Sequence, residues 1–232
     1  MPLALIGLDA DDTLWHNETY FRLTHQRFAD LLAPFADPDD IEARLLAVEE
    51  RNLRIYGYGA KGFTLSMLET ALEISHGQVS SAILAEVLEA GRAMLSQPVE
   101  PLPGVGQALS RLAERAKLVL ITKGDLFHQE SKLAASGLGD FFSGVEIVSN
   151  KSPEVYARVF RRHGAEPAAA LMAGNSVRSD ILPPLDCGSY AALIPYHLIW
   201  AHEAAAAPHD HPRFRQLDSL DALPAWIDSL DS

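Results

Sequence analysis

Residues 3–13 read Leu-Ala-Leu-Ile-Gly-Leu-Asp-Ala-Asp-Asp-Thr, an apolar run that ends in a group of carboxylates. A short continuous apolar run is typical of a strand that is buried on both faces of a parallel sheet. Asp9, Asp11 and Asp12 would then lie at the carboxyl end of that strand, which is the edge where ligands bind in open α/β sheets. This stretch predicts both the fold class and the place of the functional site.

The rest of the chain continues the pattern of short apolar runs that are separated by helical segments. The further runs of strand length are residues 117–122, 145–148, 169–173 and 190–194. The helical patterns between them lie at about 105–115, 125–137, 153–164 and 177–186. Strands that alternate with helices indicate right-handed crossovers onto one sheet. The sequence predicts a Rossmann-like α/β core with a doubly wound parallel sheet.

Residues 16–97 interrupt this alternation because they carry helical patterns and no strand pattern. One of the helices has a clear predicted start, with Asp37 as N-cap and Pro38 in the first helical position. Prolines between 98 and 103 then mark the return of the chain. We expect an α/β core formed by residues 1–15 and 98–232, and an inserted all-helical cap formed by residues 16–97.

Composition and charge exclude several classes of protein. The chain has 232 residues, a length that favours one core with an inserted or appended piece. Of these residues 48% are hydrophobic and 22% are charged, which is typical of a soluble globular protein. A formal net charge of −12 disfavours binding to nucleic acid or to anionic membranes. The lone Cys187 suits a reducing compartment, and no signal peptide or membrane-length apolar segment is recognisable. We therefore expect a cytoplasmic protein.

Residues that can bind anions or cations end or follow each of the next three predicted strands. They are Thr122, Lys123 and Gly124 after the second strand, Lys151 after the third, and Asn175 and Asp180 after the fourth. Crowded carboxylates need a cation or a shared proton, and magnesium is the cation that commonly bridges carboxylates to phosphates. Hydroxyls and backbone N–H groups at helix starts hold phosphate oxygens. The alternative for Lys151 is a solvated side chain, and for the other positions it is a helix cap or a turn. For Asp12 we favour a solvated turn residue.

These residues resemble the motifs of the haloacid dehalogenase-like hydrolases, most of which are magnesium-dependent phosphatases. Residues 9–13 match the family's D-x-D-x-T signature, Thr122 matches the second motif and Lys151 the third. Residues 174–180 match the fourth motif, which has the form G-D-S-x-x-S-D. The resemblance extends from residue 3 to about residue 194, and the helical insert resembles the family's small helical (C1) cap.

The resemblance implies a role for the residues of the first motif. Asp9 would be the nucleophile that attacks phosphorus and forms an aspartyl-phosphate, and it would also ligate magnesium. Asp11 would protonate the leaving alcohol and then deprotonate the attacking water. Its backbone carbonyl would be a second metal ligand.

The other motifs would bind phosphate and complete the metal site. Thr122 would hydrogen-bond a phosphate oxygen beside Lys123 and Gly124, and Lys151 would offset the charge of Asp9 next to the substrate. Asn175 and Asp180 would complete the Mg²⁺ shell, directly or through water. The implied activity is a magnesium-dependent phosphatase that forms an aspartyl-phosphate intermediate and acts on a small phosphorylated metabolite.

The sequence departs from the family pattern at two positions. The family usually has Asp where this chain has Asn175, which offers an oxygen but no charge. Lys123 stands where many relatives carry Asn, and it either adds a cation near phosphate or is solvated. The aromatic and histidine residues of segment 196–202 either pack together, which we favour, or line the entrance or a metal site.

Three other functions compete with the phosphatase. A haloacid dehalogenase needs the nucleophilic Asp9 but not Asp11, whereas a phosphomutase uses the same pair of aspartates. A regulatory protein that binds phosphate without turnover is the alternative that Asn175 suggests. The sequence selects neither a substrate nor an oligomeric state, so both a monomer and a homodimer remain open.

Overall fold

The computed structural model describes residues 3–198 and 200–230, and its central feature is a parallel β-sheet. The strands within these residues are Leu5–Leu8 (β1), Lys117–Lys123 (β2), Gly144–Val148 (β3), Ala170–Gly174 (β4), Tyr190–Leu193 (β5) and Phe214–Gln216 (β6). Their order in the sheet is β3-β2-β1-β4-β5-β6. The five predicted strands are all present, and the doubly wound α/β fold is confirmed. The sequence did not predict β6, because Phe214 is its only buried residue.

Helices fill the connections between the strands. The α-helices of the described residues are Glu18–Leu32 (α1), Pro38–Tyr56 (α2), Ala60–Ile74 (α3), Ser81–Leu95 (α4), Val105–Ala113 (α5), Leu126–Ser136 (α6), Pro153–Arg162 (α7), Leu182–Asp186 (α8) and Leu223–Leu230 (α9). A single π-helical turn, Val177–Ile181, precedes α8. Asp37 does occupy the N-cap position of α2, but its side chain makes no capping hydrogen bond.

Strand β1 lies in the interior of the sheet, where Leu8 is in register with Leu120 of β2 on one side and with Ala173 of β4 on the other. All four of its residues are buried. A Cβ atom added at Gly7 would lie 2.8 Å from the Ile121 side chain, so glycine fits the close packing at this position. The carboxyl end of β1, and the residues that follow it, therefore lie between those of β2 and β4.

The described chain falls into two compact units. One consists of Met1–Glu18, Val99–Lys123 and Gln129–Ser232 and contains the sheet, and the other consists of Thr19–Pro98 and Gly124–His128. The second unit is helical and has its own apolar core, which includes Phe28, Leu45 and Met67. The division into functional core and cap domains stays a prediction. Within the described residues, no helix combines the length and the apolar character that crossing a bilayer requires.

Candidate active site

Lys151 joins two aspartates that follow different strands. Its Nζ donates to Asp9 Oδ1 and to Asp180 Oδ1, at 2.6 Å in each case. The Lys151 side chain is 2% exposed, and those of Asp9 and Asp180 are 10% and 1% exposed. In the sheet, β3 and β4 are separated by β2 and β1, so Lys151 reaches across both strands to meet Asp180. Three of the predicted site residues therefore meet in one buried cluster.

Burial and charge act in opposite directions on this cluster. Burial and the neighbouring Asp180 raise the pKa of Asp9 to about 7, although Lys151 opposes the shift. Burial alone would lower the pKa of Lys151, but the two carboxylates outweigh it and raise that pKa above its usual value. The lysine is therefore a permanent cation. When both acids are ionised, the cluster of two carboxylates and one ammonium carries a net negative charge.

The side-chain amide of Asn175 lies beside Asp9 and Asp11. One end of its side-chain amide lies 3.2 Å from Asp9 Oδ2 and 3.2 Å from the backbone carbonyl of Asp11. An amide nitrogen at this end donates to both, whereas an amide oxygen there creates a set of three oxygens that face one another. Adjacent ligands of octahedral magnesium are about 3 Å apart, since each lies about 2.1 Å from the ion. With the amide oxygen at this end, the donor set therefore fits magnesium in both chemistry and spacing.

This oxygen set is not rich in acidic side chains. No group of three His, Cys, Asp or Glu side chains in residues 3–198 and 200–230 is arranged to hold a metal. The predicted ligands instead combine Asp9, a backbone carbonyl, the Asn175 amide and Asp180. Asp180 Oδ2 accepts from the backbone N–H of Ser176 at 3.0 Å, while its Oδ1 accepts from Lys151. The predicted metal ligands stay a prediction for this chain.

The Asp11 carboxylate points to a different set of partners. It accepts hydrogen bonds from Trp15 Nε1 at 2.8 Å, from Lys132 Nζ at 2.5 Å and from Gln129 Nε2 at 3.2 Å. Burial raises the pKa of Asp11, but Lys132 and the other donors outweigh it, and the pKa falls below its ordinary value. Only the backbone carbonyl of Asp11 is therefore beside Asn175, and the side chain is an ionised acid held by α6 and Trp15.

Sequence reasoning missed the two partners that α6 supplies. Gln129 also donates to Thr122 Oγ1 at 2.9 Å and to the carbonyl oxygen of Lys123 at 2.8 Å, so it connects the first two motifs. Lys132 lies one helical turn later on the same face. Tyr156 of α7 was also missed, and its hydroxyl donates to the carbonyl oxygen of Ser179 at 2.9 Å. A polar residue at an inward-facing helix position was the available signal for Gln129, which is 3% exposed.

The interpretation of Asp12 as a solvated turn residue was wrong. Asp12 is buried and has a φ of 60°, so it does lie in a tight turn. Its carboxylate accepts from the backbone N–H groups of Asn17 at 2.9 Å and Glu18 at 3.0 Å. These N–H groups at the start of α1 have no partner within the helix, and a carboxylate is a favourable cap for them. Burial raises the pKa of Asp12 to about 7 in spite of these bonds.

The predicted phosphate-binding residues after β2 have different surroundings. Thr122 is buried, and its hydroxyl accepts the bond from Gln129. Gly124 has a φ of 132°, a backbone conformation that favours glycine, and it belongs to segment Gly124–His128 of the helical unit. Asp125 caps α6, since its carboxylate accepts from the backbone N–H of His128 at 3.0 Å. The roles of Thr122 and Gly124 in phosphate binding stay predictions.

Lys123 is not solvated, so the alternative of a solvated side chain is wrong, and its role as a cation near phosphate stays a prediction. Its side chain is 13% exposed and forms an ion pair with Glu203, with Nζ 2.5 Å from Oε1. It also donates to Ser179 Oγ at 2.9 Å. Glu203 lies in the segment that follows β5, and no sequence motif pointed to it. In the same segment, the Trp200 and His202 rings pack edge to face, with centroids 4.6 Å apart.

Known proteins resemble this chain over most of its length. The family model of the haloacid dehalogenase-like hydrolases matches residues 3–188. A haloacid dehalogenase-like family hydrolase from Xanthomonas campestris has 42% sequence identity and a TM-score of 0.89, over 99% of this chain and 92% of that chain. The pyrimidine 5'-nucleotidase YjjG of Escherichia coli is 27% identical over 199 residues, which are 79% of this chain and 82% of the relative.

A more distant structure shares the fold alone. The HAD-hydrolase YfnB from Bacillus subtilis, solved with magnesium bound, has a TM-score of 0.69 and 16% identity, over 98% of this chain and 100% of that chain. The stronger evidence comes from the family match and from the 42% identity to the Xanthomonas protein, which together cover the sheet and every predicted site residue. This chain therefore belongs to the haloacid dehalogenase-like hydrolases and is a hydrolytic enzyme.

Proposed function

We propose that the protein is a magnesium-dependent phosphatase that hydrolyses a small phosphomonoester through an aspartyl-phosphate intermediate. The observation that carries the proposal is the buried cluster in which Lys151 bridges Asp9 and Asp180 beside the Asn175 amide and the Asp11 carbonyl. A nucleophilic carboxylate, a fixed cation and a set of oxygen ligands are the groups that phosphoryl transfer needs. The name of the relative YjjG, a pyrimidine 5'-nucleotidase, agrees with this reaction.

Asp9, the Asp11 carbonyl, Asn175 and Asp180 would hold magnesium, with Asp180 acting directly or through water. When bound, the ion would offset the negative charge of the phosphoryl oxygens. The remaining contribution to charge balance comes from Lys151, whose ammonium is fixed by two hydrogen bonds. A preorganised cation of this kind stabilises charge without the cost of reorienting solvent.

The reaction proceeds in two displacements. In the first, an oxygen of Asp9 attacks phosphorus, the bond from phosphorus to the leaving oxygen breaks, and that oxygen takes a proton. In the second, a water oxygen attacks the same phosphorus, the bond to Asp9 breaks, and inorganic phosphate leaves. Burial of Asp9 and its contact with Lys151 hold the nucleophile in one orientation.

Asp11 moves the protons in both displacements. It donates a proton to the leaving oxygen in the first and takes one from the attacking water in the second. The bonds from Lys132, Trp15 and Gln129 favour the ionised carboxylate, which is the form that the second displacement needs. The first displacement needs the protonated form. Its rate therefore depends on the fraction of Asp11 that is protonated while Lys132 stabilises the carboxylate.

The substrate is proposed only as a class. Thr122, Lys123, Gly124 and Lys151 are the residues to which we assign the phosphate group, and we assign selection of the leaving group to the helical cap, residues 16–97. The net charge of −12 disfavours nucleic acid as a partner. A single half-buried cysteine suits a reducing compartment, so we propose a cytoplasmic enzyme, either monomer or homodimer, that acts on a small phosphorylated metabolite.

The test is turnover of p-nitrophenyl phosphate with and without Mg²⁺, for the parent protein and for Asp9→Asn. We expect magnesium-dependent release of nitrophenol that Asp9→Asn reduces at least about 10³-fold. Asp228→Asn is the matched control, because Asp228 is an exposed acid paired with Arg115. Turnover that does not depend on Mg²⁺ or on Asp9 would contradict the proposal, and no turnover at all would favour a phosphate-binding protein. A panel of metabolite phosphates that includes pyrimidine nucleotides then identifies the substrate.

A further inference from the structure

The carboxylate of Glu203 collects donors from two distant parts of the chain. It accepts from Lys123 Nζ at 2.5 Å and from Ser179 Oγ at 2.5 Å, and Ser176 Oγ donates to it as well. The Glu203 side chain is 15% exposed. Burial raises its pKa, but Lys123 and the two serines outweigh burial and hold that pKa below its ordinary value. Glu203 is therefore an ionised, nearly buried group that is held by three side-chain donors.

The two serines lie on the turn that carries Asp180. The backbone N–H of Ser176 donates to Asp180 Oδ2 at 3.0 Å, while its hydroxyl bonds to Glu203 and accepts from the backbone N–H of Ser179 at 3.0 Å. One residue thus links the Glu203 carboxylate to the Asp180 carboxylate. The turn is π-helical, a conformation that is rare and frequently occurs at functional sites.

The position of Lys123 places this network next to the nucleophile. Lys123 is the last residue of β2, and the serines follow β4. Strand β1 lies between β2 and β4 in the sheet, and Asp9 is the first residue after β1. The hydrogen bonds from Lys123 to Ser179 and Glu203 therefore connect the residues after β2 with the segments beyond β4, past the end of β1, which Asp9 follows. They join the second motif to the fourth.

We propose that Glu203 is a positioning residue that fixes the Asp180 turn, and through it the Lys151–Asp9 pair. The inference rests on the phosphatase reaction proposed above. Glu203 contacts none of the predicted reacting atoms, so it acts by holding Ser176 and Ser179, which in turn hold Asp180. Without its carboxylate, Lys123 becomes a nearly buried cation without this counterion, and two hydroxyls lose their acceptor. Displacement of a catalytic group by about 1 Å costs on the order of 10²-fold in rate.

The first test compares Glu203→Ala and Glu203→Gln in the p-nitrophenyl phosphate assay. We expect Glu203→Ala to lower kcat at least about tenfold while KM changes less than about threefold, because Glu203 is not among the residues that we assign to the phosphate group. Glu203→Gln keeps an amide oxygen that can accept from a serine, so it should recover part of the loss. Glu166→Ala is the matched control, since Glu166 is an exposed acid in an exposed ion pair with Arg161, and it should leave both constants unchanged. A kcat for Glu203→Ala within twofold of the parent would overturn the proposal.

The second test asks whether Glu203 acts through the two serines. In a mutant cycle, Glu203→Ala should cost less than about threefold in a background that carries both Ser176→Ala and Ser179→Ala, because both serine contacts with Glu203 are already lost. Full multiplication of the two losses would show that Glu203 acts independently of the turn and would overturn the proposal. The double variant Lys123→Met/Glu203→Gln is compared with Lys123→Met alone, because we assign Lys123 to the phosphate group. Glu203→Gln should still lower kcat in that background, and equal kcat values would show that Glu203 serves only to balance the charge of Lys123.

The third readout is independent of turnover. Amide hydrogen exchange across residues 176–181 should be at least about tenfold faster in Glu203→Ala than in the parent protein, with the strands of the sheet unchanged. If the parent protein shows no Asp9-dependent turnover, the phosphatase proposal fails, and exchange at this turn still decides whether Glu203 holds it. Unchanged exchange would overturn the proposal. If Glu203→Ala does not fold, Glu203→Gln takes its place, and a loss of kcat of at least threefold is then required.

Discussion

Lys151 Nζ lies 2.6 Å from Asp9 Oδ1, although 142 positions separate the two residues in the chain. Both side chains are almost entirely buried, and Asp180 lies on the other side of the ammonium. A buried charge is tolerated when it is paired and hydrogen-bonded, so each member of this cluster depends on the other two. The arrangement has consequences for both stability and activity.

Replacement of Lys151 by Met should damage both properties. It leaves two buried carboxylates close together without their cation, and we expect the free energy of unfolding to fall by about 3–5 kcal/mol at pH 8. The loss should be smaller at pH 5, where a carboxyl with a raised pKa takes up a proton. Denaturant unfolding at the two pH values measures this difference. Lys117→Met is the matched control, because Lys117 is exposed and its ammonium donates to the carbonyl oxygen of His163 rather than to a buried carboxylate. A loss of equal size in that variant would contradict the argument.

Replacement of Asn175 by Asp should strengthen magnesium binding. The variant adds one negative charge to the oxygens of Asp9 and Asp11 that already lie 3.2 Å from the amide. Affinity for hard divalent cations rises with the charge of the ligands, so we expect a half-saturating Mg²⁺ concentration about tenfold lower. Calorimetric titration of parent and variant measures it. Asn150→Asp adds the same charge at an exposed position and controls for long-range effects, and equal affinities for Asn175→Asp and the parent would refute this expectation.

Replacement of Lys132 by Met should change the pH dependence of turnover. Lys132 is the main group that holds the pKa of Asp11 below its ordinary value, against the effect of burial. Without it, burial dominates and the pKa rises, so Asp11 stays protonated to higher pH. The acid limb of the kcat profile should therefore move to higher pH wherever the ionised base limits the rate. A profile for Lys132→Met that superimposes on that of the parent would exclude this role.

Replacement of Gly174 by Ala should disturb the site from within the sheet. The added Cβ would lie 2.4 Å from Asp180 Cγ and 2.7 Å from Asp180 Cβ, and the Asp180 side chain cannot yield freely because Lys151 and Ser176 bind it. We expect a loss of about 1–3 kcal/mol in stability together with a loss of activity. Gly106→Ala is the contrasting control. Gly106 lies in α5, where the added atom would meet no other part of the described chain within 4 Å apart from the helix itself and the adjacent residues. That variant should therefore be about 0.5–1 kcal/mol more stable, as thermal unfolding will show.

Replacement of His25 by Phe should make the free energy of unfolding depend less on pH below about 6.5. Burial, and to a lesser extent Arg22, lower the pKa of His25 to about 4, and its ring stacks on Phe63 with centroids 4.9 Å apart. A histidine with a lowered pKa contributes stability above the unfolded value of about 6.5, and this contribution is lost as the pH falls towards 4. The full loss is about 3 kcal/mol.

Urea unfolding between pH 8 and pH 4.5 measures that response. The difference in unfolding free energy between His25→Phe and the parent should shift in favour of the variant as the pH falls. Leu23 provides the control, since it is an exposed residue of the same helix without a titratable group, and Leu23→Phe should follow the parent at every pH. If the unfolding free energies of His25→Phe and the parent change in parallel with pH, the His25 imidazole binds its proton equally well in the folded and unfolded states, which would contradict the prediction.

The sequence alone determined the sheet and the position of the site on it. Buried parallel strands need continuous apolar runs, and the polar residues that interrupt such runs fall at the carboxyl ends of the strands. This is why Asp9, Lys151 and Asp180 could be assigned to one edge before any contact was known. It is also why β6 was missed, since a three-residue strand with one buried side chain leaves no periodic pattern.

Only the tertiary structure decided which groups each of these residues touches. The partners of Asp11 on α6, the capping role of Asp12 and the pairing of Lys123 with Glu203 depend on side chains that are distant in sequence and carry no motif. A charged residue has the same letter whether it is solvated or buried beside a counterion, and the choice depends on how adjacent elements exclude water. That exclusion is a property of the packed chain, so no spacing of residues in the sequence records it.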